Sequence, residues 1–77
     1  MNKGFKKLLE KYKDIIDSYD REENYDAGHR DLDYWIYLKE GYVCTGTECG
    51  TIHEYTIKDC ERMLKMVIKE DIWLRIL

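Results

Sequence analysis

The chain has no proline, one serine and three cysteines in 77 residues, and no uninterrupted run of 18 apolar residues. Without such a run no membrane-spanning helix is expected. The opening MNKGFKKLLEKYKD breaks its apolar positions with charge at every turn, unlike the apolar core of a signal peptide, so export is not expected either. An odd number of cysteines without a secretory signal reads as reduced thiols of a cytoplasmic protein. With Ser18 the only serine, no glycine-rich phosphate loop and no paired-carboxylate motif, the chain lacks the usual signatures of catalysis, and enzyme activity is not expected.

What is present is charge, unevenly placed. Asp14 to Asp33 carries eight acids against Arg21 and Arg30, a net of −6, in a chain whose total is −3. Such a region repels a polyanion, and direct nucleic-acid binding is not expected. A chain of this length reads as one domain spanning 1–77, with no repeat, linker or low-complexity tract.

Phe5, Leu8, Leu9, Tyr12, Ile15, Ile16 and Tyr19 recur at amphipathic helical spacing and predict a helix over 3–19. Its charges run against the helix macrodipole, with Lys3, Lys6 and Lys7 first and Asp14 and Asp17 last. Between Asp20 and Asp33 the periodicity fades and Asp, Asn and Gly gather, which predicts an acidic surface loop over 20–33, long for a compact domain.

Residues 34–56 hold five of the ten aromatics and read as a three-stranded antiparallel meander: 34–38, a turn with Gly41 in the left-handed position, 42–45, a turn flanked by Gly46 and Gly50, and 51–55. Thr56 and Asp59 resemble a capping box, so a helix is expected from 57. It either runs unbroken to Leu77 or stops near Asp71, leaving Ile72, Leu74 and Ile76 as a fourth strand. The expected fold is α+β, ordered αβββα.

Three groups of residues bear on function. Cys44, Cys49, His53 and Cys60, spaced C-x4-C-x3-H-x6-C, include the donor types of a tetrahedral zinc site, but the spacing lacks the two-residue pairs of the familiar zinc motifs and Cys60 falls on an apolar helical stripe. No cofactor is therefore expected, with structural zinc on these four as the alternative. Counting along the meander groups Tyr34, Ile36, Leu38, Tyr42, Cys44, His53 and Tyr55 on one face, and Trp35, Tyr37, Val43 and Ile52 on the other. Trp35 and Tyr37 are candidates for partner contact, since Trp and Tyr dominate binding hot spots. Lys39 is the only base between Arg30 and Lys58, too few for a base-stacking sheet that binds RNA.

The third group is the acidic stretch Asp14, Asp17, Asp20, Glu22, Glu23, Asp26, Asp31 and Asp33, interleaved with Tyr19 and Tyr25. Carboxylates arrayed in this way complement a Lys/Arg-rich surface on a protein partner. The C-terminal IWLRIL is expected to pack against the rest of the chain, a homodimer being the alternative.

The layout as a whole, a helix, an acidic stretch, a meander and a helix at this size, resembles small phage-encoded inhibitors of the anti-CRISPR type. The resemblance implies a non-catalytic, stoichiometric inhibitor in a bacterial cytoplasm. Its implied partner is a nucleic-acid-acting enzyme such as a Cas nuclease, bound through the acidic surface.

Overall fold

In the computed structural model, residues 3–26 and 28–76 are described. The first helix, α1 (Lys3–Lys11), presents Phe5 and Leu8 to the core and its lysines to solvent. It ends eight residues before the predicted boundary. The hydrogen bonding tightens from Tyr12 N→Leu8 O (3.2 Å) to Lys13 N→Glu10 O (3.4 Å) and Ile15 N→Tyr12 O (3.1 Å), a turn that releases the chain. The charges that oppose the macrodipole and the β-branched pair Ile15 and Ile16 favour this early stop.

The chain then enters β1 (Ile16–Asp26), which pairs antiparallel with β2 (His29–Leu38). The predicted acidic loop over 20–33 is therefore a long β-hairpin, with Gly28 at φ 83° next to its turn. The cross-strand ladder gives every alternate side chain a neighbour and satisfies backbone groups that a loop would leave to water.

After Gly41 (φ 93°), the left-handed turn residue expected there, β3 (Tyr42–Cys44) leads to β4 (Thr51–Glu54). The principal sheet is three-stranded and antiparallel with order β1-β2-β4, so β4 and the second half of β2 come from the meander segment and the rest from 16–33. Strand β3 leaves this sheet and pairs instead with β5 (Val67–Lys69), through Tyr42–Lys69, Val43–Ile68 and Cys44–Val67.

Thr56 caps α2 (Ile57–Leu64) as the sequence indicates, its hydroxyl accepting from Asp59 N at 3.1 Å. The C-terminal segment follows neither predicted course: α2 stops at Leu64, Val67 and Ile68 form β5, and α3 (Glu70–Ile76) follows. Pairing with β3 rewards the β-branched residues at 67 and 68, which explains the break.

The core lies between the helices and one sheet face. Phe5, Ile36, Ile52 and Leu64 are fully buried with Cys44 and Cys60, flanked by Leu8, Ile16, Tyr34 and Leu38. Each large apolar side chain there contributes roughly 1.5–3 kcal/mol on leaving water. Lys11 Nζ reaches Glu61 Oε2 at 3.1 Å between α1 and α2; this hydrogen bond and charge raise the lysine pKa, though so exposed a pair adds little stability. The C-terminal apolar residues are not packed away as expected: Ile72, Leu74 and Ile76 on α3 stay exposed. Among the described residues no helix is long and apolar enough to cross a membrane.

Candidate functional site

Strand parity decides what faces what. In the β1–β2 ladder Ser18 lies opposite Tyr37, Asp20 opposite Trp35, Glu22 opposite Asp33 and Asn24 opposite Asp31. In the β2–β4 ladder His53 lies opposite Trp35 and Thr51 opposite Tyr37. Directly paired residues of antiparallel strands share a face, so these ten positions form one surface. It is the face turned away from the core residues Tyr34, Ile36, Leu38 and Ile52.

This placement corrects the face grouping read from the meander. His53 stands with Trp35, and Ile52 with Ile36, the reverse of the sequence-based count. The count assumed that 51–55 follows 42–45 in the sheet, whereas β4 pairs directly with β2 and β3 is bypassed. Leu38 N donates to Gly50 O at 2.9 Å at the start of that direct pairing.

At the centre of the face the Trp35 and His53 rings stack, their centroids 3.7 Å apart and planes 3° from parallel. His53 Nε2 lies 2.8 Å from Asp33 Oδ1, and because a carboxylate accepts, the bond requires a proton on Nε2. Asn24 Nδ2 donates to Asp33 Oδ2 at 3.2 Å, so both carboxylate oxygens of Asp33 are held. The side chains of Asp33 and His53 keep 17% and 31% exposure. Tyr55, tilted against His53 at 5.1 Å, is 63% exposed just beyond β4.

Around this stack Asp20, Glu22 and Asp31 project into solvent, and no lysine or arginine occupies any of the ten positions. A cleft of about 520 Å³ opens where β4 ends, lined by Asn24, Asp31, Leu32, Asp33 and Tyr55. Its carboxylates and single tyrosine suit a cationic side chain with an apolar stem.

No family model, curated protein or solved structure matches the chain.

Six of the sequence-derived partner residues thus meet on one surface: Asp20, Glu22, Asp31, Asp33, Trp35 and Tyr37. The others lie elsewhere. Tyr19 and Glu23 are on the helix-facing side, where Tyr19 makes an edge contact with Phe5 at 5.8 Å and Glu23 stands 3.9 Å from Arg21. Asp17 occupies the register irregularity between Ile16 and Ser18, and Asp14 the preceding turn. Tyr25 and Asp26 belong to β1 by backbone, and their side chains lie outside those described.

Arg21 was not anticipated. Its guanidinium sits 5.9 Å from the Tyr34 ring, and among the described residues neither its Nε nor Trp35 Nε1 finds a hydrogen-bond partner although both are buried. Asn24 and Tyr55 were also missed. Alternation in Asp20-x-Glu22-x-Asn24 is the period-two signal that points to Asn24, as His53-x-Tyr55 does to Tyr55.

Of the four residues of the zinc alternative, Cys44 and Cys49 face each other across a turn, while Cys60 and His53 are engaged elsewhere. Cys60 is in the core, where burial first and the charges of Glu54 and Asp59 next push its thiol up to about 12. His53 is engaged by Asp33 on the open face. Cys44 Sγ donates to Met63 O at 3.2 Å, and Cys49 Sγ approaches Thr51 O at 3.3 Å. Among the described residues no three histidine, cysteine or carboxylate side chains stand where they could share a metal ion.

Proposed function

We propose that the protein is a non-catalytic binding module that docks the open face of its β1-β2-β4 sheet onto a basic surface of a protein partner. In keeping with its resemblance to phage inhibitors, it competes there with a nucleic acid. The observation that carries the reading is the parity that gathers Asp20, Glu22, Asp31 and Asp33 around Trp35 and Tyr37 with no lysine or arginine among them.

A rigid sheet presents charges at fixed spacing and loses less conformational freedom on binding than a loop would. Lysines and arginines on the partner meet carboxylates, which speeds encounter, while the aromatic centre supplies apolar contact. Asp33 is held on both oxygens, so its charge is positioned in advance.

Partner capture from the native host with three proteins tests this. One is the wild type, one carries Asp20→Asn, Glu22→Gln and Asp31→Asn on the face, and one carries Asp14→Asn, Asp17→Asn and Glu40→Gln off it. The face variant is expected to lose the partner and the off-face variant to retain it. Stoichiometric wild-type protein is expected to displace nucleic acid from the captured partner, less so as salt rises. Equal retention by both variants rejects the docking face; undiminished nucleic-acid binding rejects the competition.

A further inference from the structure

The segment Cys44–Cys49 closes on itself. Residues 45–48 form a turn in which Glu48 takes φ 57°, Cys44 N donates to Cys49 O at 2.8 Å, and the two cysteines face each other across an antiparallel bridge. Partners in such a bridge point to the same side with Cα atoms about 5.5 Å apart, within the span of a disulfide.

The two thiols differ in access. Cys49 is exposed and Cys44 buried. Thr47 Oγ1 lies 3.4 Å from Cys49 Sγ and can donate to that sulfur when it is a thiolate. Cys44 Sγ is held by one hydrogen bond, to Met63 O at 3.2 Å, which it can exchange for a bond to its neighbour.

We propose that Cys49 and Cys44 form a thiol–disulfide exchange site, with Cys49 as the nucleophile that meets the oxidant in solvent, Cys44 as the resolving thiol, and a low-molecular-weight disulfide as oxidant. The Cys49 thiolate attacks one sulfur of the oxidant, its S–S bond breaks, and one thiolate leaves and takes up a proton. Cys44 gives its proton to solvent and attacks the Cys49 sulfur, and the second thiolate leaves. The protein dithiol is oxidised by two electrons and the small disulfide is reduced to two thiols. Cys60 takes no part, since it is buried on α2 and the bridge pairs Cys49 with Cys44.

Incubating the full chain with oxidised glutathione, quenching and weighing the protein tests the site. The expected product has lost about 2 Da, as formation of one disulfide requires. After trypsin the link is expected inside the single peptide Glu40–Lys58, which contains both cysteines and no internal cleavage site, while Cys60 remains free on another peptide. Cys44→Ser is expected to retain one glutathione at Cys49, and Cys49→Ser to remain unmodified. A wild-type chain that keeps glutathione on Cys49, dimerises through it or does not react overturns the proposal. Because Cys44→Ser removes a buried group and can impair folding, the peptide map of the wild type and the surface variant Cys49→Ser decide the matter alone.

Discussion

Trp35 and His53 lie ring over ring on neighbouring strands, 3.7 Å between centroids. Offset or stacked aromatic pairs contribute roughly 0.5–1.5 kcal/mol beyond the area they bury. A double-mutant cycle with Trp35→Leu and His53→Leu, followed by urea denaturation, is expected to show a coupling of about 1 kcal/mol. Additive single effects would mean that the rings are adjacent without mutual stabilisation.

Ile52 and His53 are consecutive, yet the strand sends one into the core and the other to the open face. Ile52→Ala is expected to cost roughly 2–5 kcal/mol, the range for truncating a buried isoleucine. Thr51→Ala, on the half-buried side, is expected to cost well under half as much. Similar losses at both positions would contradict the β2–β4 register.

Gly46 has no positive φ to explain it; its reason is steric. A Cβ there would stand 2.7 Å from Met63 Sδ and 2.8 Å from Met66 Sδ. Where φ is compatible, Gly→Ala stabilises by about 0.4–1 kcal/mol through the unfolded chain, and here the displacement of two flexible methionine ends, one of them on the exposed Met66, offsets that gain. Gly46→Ala is expected to leave the melting temperature nearly unchanged. A large fall would show that the methionines cannot move aside.

Cys60 makes stability fall at alkaline pH. Its thiol is pushed from 9.0 up to about 12 in the fold, chiefly by burial. Above the unfolded value the unfolded chain loses a proton that the native protein keeps, so ionisation favours unfolding as pH rises. Between pH 9 and 10.5 the urea midpoint of the wild type is expected to drop more steeply than that of Cys60→Ala. Parallel slopes would show that the site is open to water.

Local signals were legible wherever a residue's role depends on its near neighbours. The start of α1, the left-handed Gly41, the Thr56 cap and the strand character of 34–38 and 51–54 follow from spacing, propensity and turn chemistry. The stretch 20–33 misled because its alternating acids look like a loop when only composition is weighed. As an edge strand and its partner they become a patterned surface.

By itself the sequence determined the α+β class, the acidic character of 14–33 and the identity of the aromatic, acidic and thiol groups. Only the tertiary structure decided how these meet. Side chains alternate with a period of two along each strand, so choosing β2 rather than β3 as the neighbour of β4 exchanged the faces of Ile52 and His53. Pairing β1 with β2 then brought Asp20 and Glu22 beside Asp33 and Trp35, because register, a long-range property, sets which residues share a face.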